Sequence, residues 1–191
     1  IQANQNDMHG GQSIPNFDYG IAPGVAKTYV KLYKSNLAKF LFMRFPNQEE
    51  DYTKLIDEVV NQTIEETSLK PAMKTEPKYY KQELKNLLKY FEDEEAIQLA
   101  QKYAEQFSLK EVERETFQAM EAFVHNLNSM HSRAGSQTPF SSINFGTDIS
   151  PEGRLVSKCL LEATYKGLGN GETPIFPILI FKVKAGVSYN P

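Results

Sequence analysis

Cysteine is nearly absent. Cys159 is the single one in 191 residues, which excludes an internal disulfide framework and any cysteine-rich zinc site within this stretch and suits a reducing compartment. Excess positive charge is also missing: 21 Lys and Arg stand against 24 Asp and Glu, a net charge of −3, so no uniform basic field invites a nucleic-acid backbone. Uninterrupted apolar runs reach only a few residues, as in Phe40–Met43 and Ile178–Phe181, against the roughly 20 that a bilayer-spanning helix needs. No membrane span is expected. The chain opens on Ile1 and a polar run, Gln2 to Asp7, without the charged and apolar regions of a signal peptide, so an internal piece of a longer cytoplasmic chain is expected. What is present, 40% hydrophobic and 24% charged residues, is the composition of a globular domain with a real core.

Periodicity divides the chain in two. Residues 1–19 are polar, with turn signals at Gly10–Gly11 and Pro15–Asn16, and read as loop. Pro23 is a suitable first-turn residue for a helix to about Met43, whose apolar positions Val25, Tyr29, Leu32, Tyr33, Leu37 and Phe40 recur at helical spacing. Pro46 stops it, and Asn47–Asp51 reads as the capped entry to a second helix carrying Leu55, Ile56, Val59, Val60 and Ile64. Amphipathic stretches at 79–91 and 95–107 form one bent helix or two. Ser108 with Glu111 fits a capping box opening a further helix to about Ser132. The composition then changes: Phe140–Phe145 alternates like a strand, Ser150–Pro151 opens a helix to about Tyr165, Gly167, Gly169 and Gly171 end it, and Pro174–Val183 is an apolar strand. That order is a βαβ unit. The expected fold class is helix-rich α/β, with a helical segment at 1–132 and the start of a sheet or barrel at 133–191. Two parallel strands need neighbours, so further strands must come from elsewhere.

Few local patterns specify chemistry. Gly167-Leu-Gly-Asn-Gly171 runs from helix to loop to strand, the reverse of a phosphate-binding fingerprint, so its glycines read mainly as cap and turn formers. Gly10–Gly11 beside His9 and Gln12 is either a tight turn or a close approach to a ligand. Lys27, Lys31 and Lys34 form one helical stripe in a stretch without acids, and demand an anion or an acidic partner. A triphosphate is one candidate. The plainer one is the following helix, where Glu49 to Glu66 holds seven acids against Lys54. His125 and His131 lie six apart, with no Cys, Asp or Glu three or four residues after either, so no metal site is expected. Cys159 sits on an apolar helix side and reads as an inert core thiol. Neither a Ser–His–Asp arrangement nor a paired-carboxylate motif is visible, so no catalytic residue is assigned.

Three blocks carry a resemblance. Gln2-Ala-Asn-Gln-Asn-Asp-Met-His-Gly-Gly-Gln-Ser13, then His125-Asn-Leu-Asn-Ser-Met-His-Ser-Arg-Ala-Gly-Ser-Gln137 with Pro139-Phe-Ser-Ser-Ile-Asn-Phe-Gly-Thr-Asp148, and finally Gly167-Leu-Gly-Asn-Gly-Glu-Thr-Pro-Ile-Phe-Pro177 resemble, in order, the large subunit of the class III anaerobic ribonucleoside-triphosphate reductases, which are glycyl radical enzymes. The resemblance implies a ten-stranded α/β barrel of which this chain supplies the opening strands. It also implies reduction of ribonucleoside triphosphates to deoxyribonucleotides: a glycyl radical generates a cysteine thiyl, with formate as reductant, and an iron–sulfur, S-adenosylmethionine-dependent activating enzyme starts the radical. ATP and deoxynucleoside triphosphates act as effectors at a homodimer interface. The Met-Gly-Cys-Arg-Thr motif, the radical glycine and the zinc-binding cysteines of that family are not in this stretch, and Cys159 does not inherit the thiyl role. The chain alone is therefore expected to catalyse nothing. By resemblance Gln5, His9, Gln12, Lys27, Lys31 and Lys34 are effector or interface candidates, while Asn128, Arg133, Ser136, Ser142 and Asn144 are substrate-cleft candidates, with Ser141 on the opposite strand face. A non-catalytic helical module binding nucleotide or another subunit is the alternative. Another glycyl radical enzyme, such as a formate-lyase, would share the barrel but not these blocks.

Overall fold

The structure, a computed structural model, describes residues 11–46, 51–129, 138 and 140–189. In chain order the elements are β1 (Gln12–Ile14), α1 (Phe17–Arg44), α2 (Tyr52–Thr67), α3 (Pro77–Leu87), α4 (Glu94–Ser129), β2 (Ser141–Phe145), α5 (Pro151–Lys166) and β3 (Ile178–Phe181). The chain forms two compact units, Ile1–Val25 with Glu113–Pro191 and Ala26–Val112, whose boundaries fall inside α1 and α4. The helix-rich α/β class is as expected. The boundary expected at 132/133 differs from this division, because β1 at the start of the chain joins the sheet near its end.

In the first unit the three strands are parallel in the order β1-β2-β3. Gln12 pairs with Ser141 and Ile14 with Ile143, while Ser142 pairs with Ile178 and Phe145 with Phe181. β2, α5 and β3 are the expected βαβ unit. β1 lies in what the sequence reads as loop; three residues are too short to show a period, and the strand exists through its pairing with β2. Along β2, Ser141, Ile143 and Phe145 are buried and Ser142 and Asn144 half-buried, the alternation of a pleated strand. α5 begins at Ser150, whose hydroxyl accepts from the Gly153 N–H at 3.0 Å, with Pro151 in the first turn. It ends at Gly167, at φ 80°. Lys158 pairs with Glu113 and Lys166 with Glu121, both offsets being equal, so α5 runs parallel to the second half of α4. Leu155, Val156, Cys159, Leu160 and Ala163 form its buried side. β3 is shorter than the expected Pro174–Val183, because Phe176 spends its N–H and C=O on the Asn128 side chain and Pro177 has no N–H for a ladder.

A close approach fixes the start of α5. A Cβ on Gly153 would lie 2.2 Å from Asp148 Oδ2 and 2.3 Å from its Cγ. Gly153→Ala, which improves helix propensity, is therefore expected to destabilise the first unit by about 1–3 kcal/mol through overpacking, read as a lowered urea midpoint with an unchanged slope. A midpoint at or above the wild-type value would show that Asp148 gives way freely.

The second unit is helical. Tyr29, Tyr33, Leu37 and Leu41 of α1, Leu55, Ile56, Val59 and Val60 of α2, Tyr79 and Leu87 of α3, and Ile97, Ala100 and Ala104 of α4 are buried in it. Asp51 caps α2 by accepting from the Thr53 and Lys54 N–H groups. Two helix boundaries differ from expectation. α1 starts at Phe17, so Pro23 lies inside it rather than in its first turn. α4 is continuous from Glu94 through Ser129, so Ser108 and Glu111 are not a capping box. Both instead accept from the Asn36 amide of α1, at 3.0 and 2.7 Å, and Ser108 is fully buried. The start of α4 is held by Asp93, whose carboxylate accepts from the Ala96 N–H at 3.0 Å. Among the described residues no helix is long and apolar enough to cross a membrane.

Candidate functional site

The strongest local construction follows β2. Asp18, in the first turn of α1, is fully buried, and its Oδ2 accepts from the backbone N–H groups of Gly146, Thr147 and Asp148 at 2.9, 3.1 and 2.9 Å. Burial pushes this carboxyl up, but the N–H donors of Asp148, Gly146 and Tyr19 outweigh it and hold it below the ordinary carboxylate range. Gly146 is required at its place, because its φ of +108° suits glycine and a Cβ would lie 2.6 Å from the Phe181 ring. Asp18 thus pins the loop that leaves the carboxyl end of the central strand, the end at which open α/β sheets place ligands.

The sheet face carrying Ser13, Ser142 and Asn144 is half-buried or exposed, and Ile178 and Ile180 on it are 45% and 42% exposed. Asn144 donates from Nδ2 to Ser13 Oγ at 3.2 Å. The structure therefore brings Ser142 and Asn144 together, with Ser141 buried on the other face. Asn128 is engaged elsewhere. Its Nδ2 donates to the carbonyls of Val124 and Phe176 at 2.7 and 2.6 Å, and its Oδ1 accepts from the N–H groups of Ile175 and Phe176 at 2.8 and 3.1 Å. Three of the four hydrogen bonds of that amide hold the lead-in to β3 and the fourth returns to α4, so a substrate contact from it would need one of them broken. Arg133 and Ser136 lie outside the described residues.

Of the effector candidates, Gln5 and His9 also lie outside the described residues. Gln12 is half-buried in β1 and its N–H donates to the Phe140 carbonyl at 2.9 Å. The lysine stripe divides. Lys34 pairs with Asp57 at 3.0 Å and reaches Asn61 on α2, the acidic-helix partnership considered above, whereas Lys27 and Lys31 are exposed without an ion pair among the described residues. Cys159 is fully buried, its thiol pushed up to about 11 by burial and then by Glu162 and Glu113, and its Sγ donates to the Glu113 carbonyl at 3.8 Å. It is a packed thiol, not a nucleophile at neutral pH. Among the described residues no group of three His, Cys, Asp or Glu could hold a metal.

A family profile described as anaerobic ribonucleoside-triphosphate reductase matches residues 1–191, the whole chain. The chain belongs to the anaerobic ribonucleoside-triphosphate reductase family. Relatives bearing that description include a protein of Haemophilus influenzae, 38% identical over 80 residues, which are 41% of this chain and 11% of the relative. Another, of enterobacteria phage T4, is 38% identical over 101 residues, 52% of this chain and 16% of the relative. That of Escherichia coli is 32% identical over 87 residues, 45% of this chain and 12% of the relative. The chain thus aligns with well under a fifth of the length of these reductases.

Two carboxylates of this reductase-family chain escaped the sequence reading. Asp18 left one signal, an acid in a first turn. Glu83 left another, since it lies with Tyr79, Asn86 and Leu87 at helical spacing on the buried side of α3. Glu83 is fully buried and accepts from the Tyr33 hydroxyl at 2.6 Å, the Tyr79 hydroxyl at 2.8 Å and the Gln101 amide at 2.7 Å. Burial raises its carboxyl above the ordinary value, against the pull of those three donors. It is a structural hub of the helical unit.

Proposed function

We propose that this chain is a segment of a class III anaerobic ribonucleoside-triphosphate reductase, and that it contributes the opening strands of the barrel that holds the ribonucleotide. The family match over the whole chain carries this reading. The open polar face of a parallel sheet supports the place given to it, because parallel sheets are stable when both faces and both edges are covered, here by the remaining strands of a ten-stranded barrel. In this reading residues 133–191, joined by β1, begin the barrel, while the helices between carry the effector and homodimer surface. The glycyl radical and the zinc site belong to other parts of the polypeptide: the residues described here do not fit a metal, and no step is assigned to either group. Formate supplies the reducing equivalents, a radical S-adenosylmethionine activating enzyme is the partner, and the reaction is cytoplasmic.

The chemistry assigned to this chain is holding and orienting. Ser142 and Asn144 offer hydrogen bonds to the substrate, Asp18 fixes the loop beyond them, and Asn128 fixes the neighbouring strand. Lys27 and Lys31, without an ion pair among the described residues, are offered to the triphosphate of an effector. The full-length reductase, activated and supplied with formate, is expected to convert ribonucleoside triphosphates to deoxyribonucleotides, and the 191-residue chain under the same conditions to yield none. Product from the chain alone would overturn its role as a segment; none from the full-length protein would overturn the reaction. Calorimetric titration of the full-length protein with deoxynucleoside triphosphates separates the lysines. Lys31→Ala is expected to weaken binding about tenfold, as loss of a charge-assisted contact does, while Lys34→Ala, already paired with Asp57, changes it little. Undiminished affinity in Lys31→Ala would remove that residue from the effector site.

A further inference from the structure

We propose that Ser13 is a substrate-positioning residue, whose hydroxyl orients the Asn144 carboxamide so that Ser13, Ser142 and Asn144 form one hydrogen-bonding row for the ribose hydroxyls. The inference rests on the reductase reading above. It starts from register: Ser13 pairs with Ser142 across parallel strands, so their side chains leave the same face, and Asn144, two residues on, leaves that face too. Asn144 Nδ2 donates to Ser13 Oγ at 3.2 Å, a contact between residues 131 apart in sequence. With its amide so turned, Asn144 Oδ1 makes no hydrogen bond to any described residue and stands as an acceptor, while the Ser13 hydroxyl keeps a proton to donate.

The neighbours give the row its meaning. Ile178 pairs with Ser142 and Ile180 with Asn144, so the polar row borders an apolar one on the same face. Once that face is enclosed, unsatisfied hydroxyl and amide groups are costly, whereas partnered ones are strengthened by the low dielectric. A sugar presents groups that both donate and accept at close spacing, which is what one carboxamide oxygen and two hydroxyls can meet. An apolar packing partner would leave the Asn144 oxygen and the two hydroxyl protons unsatisfied.

The test uses the full-length activated reductase with saturating effector, together with substrate affinity measured on the unactivated protein. Ser13→Ala is expected to raise KM and the substrate Kd about 5- to 10-fold, as loss of one hydrogen bond does, with a smaller change in kcat. Ser13→Thr, which keeps the hydroxyl and suits a strand, should restore both to within about twofold. The Ser13→Ala/Asn144→Ala double variant should lose clearly less than the sum of the two single variants, since part of the effect of Ser13 runs through Asn144. A merely structural serine would lower thermal stability and leave KM, Kd and the coupling unmoved. Should Ser13→Ala not fold, Ser13→Cys provides the same comparison with a weak donor of similar size. Unchanged KM and Kd, or additive losses in the double variant, would overturn the proposal. Lack of turnover by the wild-type full-length protein would instead overturn the reductase reading, and this inference with it.

Discussion

Glu83→Ala is expected to unfold the helical unit or bring it close to unfolding. The substitution strands the Tyr33 and Tyr79 hydroxyls in a fully buried place, each at roughly 1–3 kcal/mol, takes one of the two hydrogen bonds of the Gln101 amide nitrogen, which keeps the Tyr80 carbonyl, and opens a cavity besides. A total on the order of 5 kcal/mol is a large share of the stability of an ordinary domain. Urea unfolding followed by circular dichroism reads it, and a midpoint near the wild-type value would show that the tyrosines find other partners. The pH dependence has a definite sign. The folded carboxyl titrates above its ordinary value of 4.5, so its contribution is fully present below that pH and is lost as pH rises through the folded value. The stability of wild type relative to Glu83→Gln should therefore fall with pH above about 4.5 and then level. A difference that rises over that interval would refute the assignment.

Asp18→Ala is expected to have the second-largest effect, about 3–5 kcal/mol, because three backbone N–H groups of one loop lose the same oxygen. Asp18→Asn keeps one acceptor and should cost less. Its pH dependence is opposite in sign to that of Glu83: the folded carboxyl lies below its ordinary value of 3.8, so the stabilisation is present above that pH and is lost as pH falls through the folded value. Hydrogen exchange at Gly146, Thr147 and Asp148 provides the local measure. Those amides should lose protection in Asp18→Asn, and in wild type on acidification; protection unchanged in the variant would mean that the loop holds itself. For the reductase reading, loss of this anchor should also disturb Ser142 and Asn144, which lie in the strand the loop terminates.

Much of the helical architecture is legible in the sequence because burial imposes a period. Leu55, Ile56, Val59 and Val60 mark α2, and Ser150–Pro151 with Gly167 mark both ends of α5. Where the side chains of two elements depend on each other, the sequence misleads. Ser108 and Glu111 have the spacing of a cap, yet Asn36, 72 residues away from Ser108, takes both into a helix interior. β1 is too short to show alternation and becomes a strand only against β2. The start of α1 is likewise hidden, since Asp18, Tyr19 and Gly20 are indifferent helix formers and Asp18 is held by a loop 128 residues on. In the candidate site, alternation alone places Ser142 and Asn144 on one face, while the sequence has no means of showing that Ser13 stands beside them or that Asn128 is already saturated.

The sequence by itself determined the family, through blocks of residues that keep their order and spacing, and the helix-rich α/β class, through periods of apolar residues that repeat every few positions. Tertiary structure alone decided which polar groups are spent: Lys34 is paired with Asp57 while Lys27 and Lys31 have no ion pair among the described residues, and Asp18 and Glu83 are buried with opposite shifts. The physical reason is range. Periodicity is a local property written into neighbouring residues, whereas hydrogen-bond satisfaction and desolvation depend on groups that meet only when distant parts of the chain pack together.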